Sequence, residues 1–373
     1  MNDKKLVLFF TYSVSLGEWE DVGILERELT LYRRVAPALG RIFFFTYGDR
    51  DDERYSAVLS NLTVLVNKWS FSNLLFSFIG PLLHGRKLKG ADLFKTNQLY
   101  GSWSALIAKL IFRKKLIVRG GYCWTFFLKK RGFGPLVMAV ATALEYLAFR
   151  FADVIVLPDT ITIDHVKKRY GIPAGKIRMI PNYVDTELFR PMDEVKRRRG
   201  RICVVANLKP QKNLSSLISA VRGLPVKLVV MGVGELKVGL AEQAEREGVD
   251  VEFLGSVPNR DLPREINTSE IFVMPSHYEG NPKALLEAMA CGTAVVGTNV
   301  PGIRNIIDHE KNGLLCEPTV DGLREAVSRL LCDDPLREKL GRDARAYIME
   351  NNSIDVIVDK ELAMYKELLE VAC

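Results

Sequence analysis

Short apolar runs alternate with stretches of helical periodicity twice over along this chain, and that alternation constrains its fold more than any other feature. Strands apolar on both faces and separated by helices build parallel sheets covered on each side. In the first half the expected strands are Leu6–Phe10, Ile42–Tyr47, Leu62–Val66, Asp92–Lys95, Leu116–Arg119 and Val154–Leu157, with helices at about 23–36, 100–112 and 134–151. In the second half they are Ile202–Ala206, Lys227–Met231, Val251–Leu254, Ile271–Met274 and Ala294–Gly297. A chain of 373 residues has room for two domains of ordinary size. The segment from Pro181 to Pro191, with turn residues at both ends and little periodicity, reads as the crossing between them. The Asn/Ser break before Ile354 lets a last helix, reaching Leu369, return to the first domain. The expectation is therefore an α/β protein of two domains facing across a cleft: 1–182 with the returning helix 351–373, and 183–350. Ligands of such sheets bind beyond the carboxyl ends of the strands.

Hydrophobic residues at 48% and charged residues at 26% fit a soluble globular protein with sizeable cores. The cysteines Cys123, Cys203, Cys291, Cys316, Cys332 and Cys373 show no metal-ligand spacing and read as reduced thiols of a cytosolic protein, with Cys203 and Cys291 as packing residues. Met1 to Lys5 leads into a buried first strand that lacks the length and cleavage site of a signal peptide. The net charge of +7 is uneven. It gathers at Arg86-Lys-Leu-Lys89, Arg113-Lys-Lys115, Lys129-Lys-Arg131 and Lys196-Arg-Arg-Arg199, and large apolar residues lie beside the early clusters: Trp69, Phe71, Leu74, Phe76 and Phe78, then Trp124, Phe126, Phe127 and Phe133. Such mixing points to an anionic lipid surface or a lipid-linked substrate; a solvated face over ordinary core is the plainer alternative. No nucleic-acid motif accompanies the charge. The best apolar run, near Phe133 to Phe149, is too short to cross a membrane and carries Glu145.

The most informative segment for function is Met274-Pro-Ser-His-Tyr-Glu-Gly-Asn-Pro-Lys-Ala-Leu-Leu-Glu-Ala-Met-Ala-Cys-Gly-Thr293. It places Glu279 and Glu287 on either side of a helix start. Asn281 is expected to cap the first N–H groups, Pro282 to occupy the first helical position and Gly292 to close the helix in the left-handed region. A helix start fed by the Gly280 loop is an anion seat, whereas acceptor-only carboxylates suit vicinal hydroxyls. A phosphate seat between two readers of diols is what a nucleotide sugar requires. Lys209 and Lys212, after the first strand of the second half, come within reach of a diphosphate. Gly232 and Gly234 are half of a dinucleotide fingerprint or simply a tight turn. In the first half, Gly17 and the Arg119-Gly120 loop lie at strand ends where a substrate can approach closely. Asp49-Arg50-Asp51 reads as a solvated turn rather than a metal site, and His84, His165, His277 and His309 show no ligand spacing. There is no nucleophile elbow.

Glu279 and Glu287, with seven residues between them in this context, resemble the Glu-x7-Glu motif of the group 1 glycosyltransferases, retaining family 4 enzymes of the GT-B fold. The resemblance is strong over about 160–345 and weak before it. It implies two Rossmann-like domains, the C-terminal one holding a UDP- or GDP-linked sugar and the N-terminal one the acceptor. By that resemblance Glu279 holds donor-sugar hydroxyls and Glu287 the ribose. The N–H groups around Gly280, Asn281, Pro282 and Lys283, with Lys212, hold the diphosphate, and no metal or other cofactor takes part. Lys212 and Glu279 are then the catalytic pair. Three positions depart from the family. Asn207 stands where it usually has an Arg, Arg119-Gly120 occupies the place of a His, and Tyr183 replaces a Gly. The implied function is transfer of a sugar to an acceptor hydroxyl with retention, on a cell-surface glycan or lipid-linked precursor, by a cytoplasmic protein at the inner membrane face. The alternatives are a nucleotide-sugar epimerase or hydrolase on the same fold, and a non-catalytic partner of another transferase.

Overall fold

A computed structural model of the chain describes residues 1–121, 124, 125, 128 and 132–370. The sequence readings on Cys123, Phe126, Phe127, Lys129-Lys-Arg131 and Cys373 lie outside the described residues. The chain forms two compact units, Met1–Pro181 together with the chain from Val358 on, and Asn182–Ile357.

Unit 1 is a parallel sheet of β1 (Lys5–Phe9), β2 (Arg41–Phe45), β3 (Leu62–Leu65), β4 (Leu93–Thr96), β5 (Lys115–Arg119), β6 (Val154–Leu157) and β7 (Ile177–Met179), in the order β3-β2-β1-β4-β5-β6-β7. Unit 2 holds β8 (Arg201–Val205), β9 (Lys227–Met231), β10 (Val251–Gly255), β11 (Ile271–Met274), β12 (Ala294–Thr298) and β13 (Leu314–Cys316), also parallel, in the order β10-β9-β8-β11-β12-β13. The strands not foreseen, β7 and β13, are three-residue edge strands, too short for any period to show. In both sheets the first strand has its successor on one side and the fourth strand on the other. The chain thus reverses direction between β1 and β4 and between β8 and β11, and crevices open at such switch points.

The central strands are buried on both faces. Val7 and Phe9 join Phe45, Phe94 and the helical residues Phe76, Ala105, Ala148 and Phe149 in one core. On the opposite face of β1, Phe10 stacks on Trp19 and meets Phe44. Lys95 of β4, fully buried, donates to Glu361 Oε2 at 2.7 Å and Tyr365 Oη at 2.9 Å. Both partners sit on the last helix, Ile354–Glu370, so the C-terminal helix is tied into unit 1 through the middle of its sheet.

His84, after the helix Asn73–Leu83, is packed against Trp69, Phe45 and Phe76. Its Nε2 lies 3.0 Å from Val66 O; a carbonyl only accepts, so Nε2 carries the proton. Burial holds the ring below its ordinary 6.5, outweighing the Val66 bond, with Lys87 and Lys68 pushing the same way. The unfolded chain binds this proton more readily than the folded one, so the stability His84 contributes is present above about pH 6.5 and lost as pH falls toward the lowered value. Urea titrations from neutral to mildly acidic pH are expected to show that loss in the wild type and a flatter profile in His84→Gln.

Candidate functional site

The switch point of unit 2 lies between the loops that follow β8 and β11. The first, Lys209-Pro-Gln-Lys-Asn213, docks on the second along its length. His277 N donates to Gln211 O at 2.9 Å, Gln211 Nε2 to Tyr278 O at 2.9 Å and Asn213 Nδ2 to Pro275 O at 3.0 Å. Asn213 adopts the left-handed region, φ 52°, a conformation Asn tolerates better than most residues. This docking brings Lys212 Nζ to 2.5 Å from Glu279 Oε1, and both side chains are largely withdrawn from solvent. Ser276, fully buried, donates to the same carboxylate oxygen at 2.6 Å, and its carbonyl accepts from Thr298 Oγ1. Glu279 is thus held from two sides, one cationic and one neutral.

The helix that follows is Lys283–Ala290. Its ends differ from expectation at one terminus only. Pro282 is the cap residue itself, outside the first turn, and Asn281 turns away. Asn281 Oδ1 accepts from Asn182 N at 3.2 Å and its carbonyl accepts from Asn182 Nδ2 at 2.8 Å. Both bonds are donated by Asn182 and engage Asn281, and the helix start has no side-chain cap. At the other end Gly292, φ 64°, donates to Met289 O and Thr293 N reaches Ala288 O. That is the paired closure a left-handed glycine provides. Glu287 is buried within this helix, and Lys283 lies over the buried ring of Tyr183.

Close backbone packing explains several glycines here. A Cβ on Gly232, φ 141°, would stand 1.9 Å from Ala206 O, and one on Gly234 would stand 2.5 Å from Leu208 O. The Gly232–Gly234 turn is therefore pressed against the Ala206-Asn207-Leu208 turn, with Leu208 N donating to Val233 O, and Gly232 N is taken by Gly255 O. Gly302 packs equally tightly, its position 2.1 Å from Gly280 O for a Cβ. Asn207 and Lys209 are exposed on the same rim. Asn207 and Lys212 line a cavity of about 280 Å³ walled by Val205, Met231, Val233, Val257 and Leu262. A larger hollow of about 530 Å³ near Arg198, Arg201 and Arg264 opens where β8 begins, the edge opposite the strand ends that bind ligands in this fold.

In unit 1 the loop glycines are tied down. Gly17 sits in the first turn of the helix Leu16–Asp21, and the buried Asp52 carboxylate accepts from Leu16 N at 2.9 Å and Gly17 N at 3.0 Å. The Asp49-Arg50-Asp51 triplet is a turn in which Asp49 accepts from Asp51 N. Gly120 N continues the ladder to Val156 O, and Arg119 N donates to Thr96 Oγ1. At the same strand ends Tyr12 meets Tyr47, Tyr100 and Trp103 at ring distances of 5.4 to 5.5 Å. Among the described residues no three His, Cys, Asp or Glu side chains converge on a point that would hold a metal. Sequence reading missed Ser276, Gln211, Gly302 and Asp52. Only Gly302 carried a local signal, the Pro301-Gly302 turn pair; Gln211 and Asp52 act through partners distant in sequence, and Ser276 acts on Glu279 three residues on through a contact that no sequence pattern marks.

Two parallel sheets with a charged pair at a switch point define a protein of the GT-B architecture. Residues 185–347 match the family Glycosyl transferases group 1 and residues 29–188 match Glycosyltransferase Family 4, so each unit resembles a glycosyltransferase family. Over 249 residues it is 30% identical to an uncharacterized glycosyltransferase of Methanocaldococcus jannaschii, covering 61% of this chain and 64% of that protein. It is 27% identical over 232 residues to a GDP-mannose-dependent alpha-(1-6)-phosphatidylinositol monomannoside mannosyltransferase of Mycobacterium tuberculosis, covering 56% of this chain and 60% of that protein. The chain thus spans less than two thirds of the length of these relatives. Among solved structures, sucrose-phosphate synthase of Thermosynechococcus elongatus superposes with a TM-score of 0.79 at 19% identity, covering 99% of this chain and 100% of that one. Anabaena HepE in complex with UDP and glucose superposes at 0.73 and 20% identity, covering 97% and 99%. At these identities the likeness is one of fold.

Proposed function

We propose that this protein transfers a sugar from a UDP- or GDP-linked donor to an acceptor hydroxyl with retention of configuration and without a metal ion. The observation that carries the reading is the Lys212–Glu279 pair across the switch point of unit 2, beside a helix start with no side-chain cap. The two side chains neutralise each other in this contact. A bound donor replaces that contact, its diphosphate taking Lys212 and the first-turn N–H groups near Lys283, its sugar hydroxyls taking Glu279. Buried Glu287 takes the ribose diol. The bond from the anomeric carbon to the diphosphate breaks as the acceptor oxygen bonds to that carbon on the same face, and the acceptor's proton leaves with the phosphate. Lys212 and the aimed N–H groups stabilise the charge that grows on the leaving oxygen, and no side chain becomes a nucleophile.

Relatives named for GDP-mannose and for UDP-Gal support a nucleotide-sugar donor. A relative named for a phosphatidylinositol mannoside supports a glycan or lipid-linked acceptor, met at the inner membrane face by unit 1 through the loops of Gly17 and Arg119-Gly120. The test is transfer of label from UDP- and GDP-sugars with and without lipid-linked acceptors, with the anomer of product read by NMR. An inverted product removes retention. Release of free sugar alone favours a hydrolase, and isomerised donor an epimerase.

Exposed Asn207, where the family usually has Arg, favours a second reading as a donor-binding partner of another transferase. Binding without turnover on any acceptor would establish it. Asn207→Arg is expected to tighten donor binding about tenfold, since a charge-assisted bond to phosphate is worth about 1.5 kcal/mol. Calorimetric titration with UDP and GDP measures this.

A further inference from the structure

We propose that unit 1 docks on an anionic bilayer through the outer faces of the helices Asn73–Leu83, Ser102–Phe112 and Pro135–Phe151. All three connect parallel strands and pack side by side on one face of the sheet. Their inner faces feed the core, yet their outer faces are apolar as well. Leu136 is 77% exposed, Leu74 and Leu82 59%, Leu110 58%, Val140 52% and Phe78 50%. On Pro135–Phe151 the exposed apolar residues Leu136, Val140, Leu147 and Phe151 follow one helical stripe that a water-facing helix fills with polar residues. A contiguous apolar face of this kind marks an interaction site rather than scattered surface residues.

Charge identifies the occupant. Across the three helices the only acidic residue is Glu145, and it is buried, accepting from Thr125 N and Thr125 Oγ1. Each helix runs back from the carboxyl to the amino edge of the sheet, so the turns that follow the helices all lie along the amino edge. There the chain carries Arg86, Lys87 and Lys89 before β4, Arg113 and Lys114 before β5, and Arg150 before β6. These strands are adjacent in the sheet, so the cations form a row beside the apolar face. The acids in those turns are engaged: Asp92 accepts from Lys5 N and Asp153 from Leu116 N. An apolar face rimmed by cations fits acyl chains below anionic headgroups, whereas a second copy would bring a like-charged rim. Among the described residues no helix is long and apolar enough to cross a membrane, so the face lies on the bilayer.

The proposal rests on the reading of unit 1 as the acceptor side only for its meaning, because binding is measured without donor or acceptor. The full chain is pelleted with vesicles of phosphatidylcholine containing about one third phosphatidylglycerol, and with phosphatidylcholine alone, at low and high salt. Binding is expected to the anionic vesicles, weakening with salt. Leu136→Glu/Val140→Glu is expected to lower partition about tenfold or more, as is Arg113→Glu/Lys114→Glu. Thermal melts verify that both variants fold, and both replace residues on the solvent side. Absence of wild-type binding at low salt overturns the proposal, and so does undiminished binding by both folded variants. A concentration-dependent dimer that Leu136→Glu/Val140→Glu dissolves, with no vesicle binding, assigns the face to a second copy instead.

Discussion

Lys212→Ala is expected to lower kcat/KM for sugar transfer by about a hundred- to a thousandfold, the range seen when one preorganised donor to a developing oxyanion is removed. The loss falls mainly on kcat if Lys212 acts on charge that grows as the diphosphate departs; an equal rise in KM with kcat unchanged would make it a mere ground-state binder. The protein stays folded, because Ser276 still donates to Glu279 at 2.6 Å, and the stability lost is about 1 kcal/mol, the net worth of one hydrogen bond. Steady-state kinetics with a labelled donor, paired with a thermal melt, separates the two effects. Undiminished transfer by Lys212→Ala would sink the assignment of the site.

Lys95→Met is expected to destabilise unit 1 by about 3–5 kcal/mol, the usual cost of leaving one member of a buried ion pair without its partner. Both side chains of the Lys95–Glu361 pair are fully buried, and Glu361 Oε1 has no hydrogen-bond partner. Removing the ammonium therefore strands a carboxylate that burial already disfavours and that Lys95 and Arg119 hold below its ordinary range. In a unit of this size the melting temperature falls by on the order of 10 °C. Lys95→Met/Glu361→Leu is expected to recover most of the loss, since replacing both members by apolar groups of similar volume is close to neutral. Failure of the double variant to recover would mean that the last helix is held by something other than charge.

Much of the architecture was legible because apolar runs such as Lys227–Met231 and Ile271–Met274 are buried on both faces and show in composition alone. The edge strands Ile177–Met179 and Leu314–Cys316 were not, since three residues carry no period. At the candidate site, Lys212 and Glu279 stood out by residue type and by their place after strands. Gly292 was legible from its position after the helix. The roles of Asn281 and Pro282 were not, because the Asn182 amide that captures Asn281 lies 99 residues away. Gly17 looked open in sequence and is held by Asp52, which nothing local announces. The basic and aromatic stretches were visible as composition, but Phe76 turns to the core while Leu74 and Phe78 face outward.

By itself, the sequence determined the class of fold, the order of its units and the residue types gathered after β8 and β11, because burial on two faces and chain direction are local properties. Only the tertiary structure decided that Lys212 and Glu279 touch, that Gly232 and Gly302 serve backbone contact, and that three helices of unit 1 are apolar on both sides. Those facts depend on which segments meet and on which way a side chain points. Long-range packing settles both.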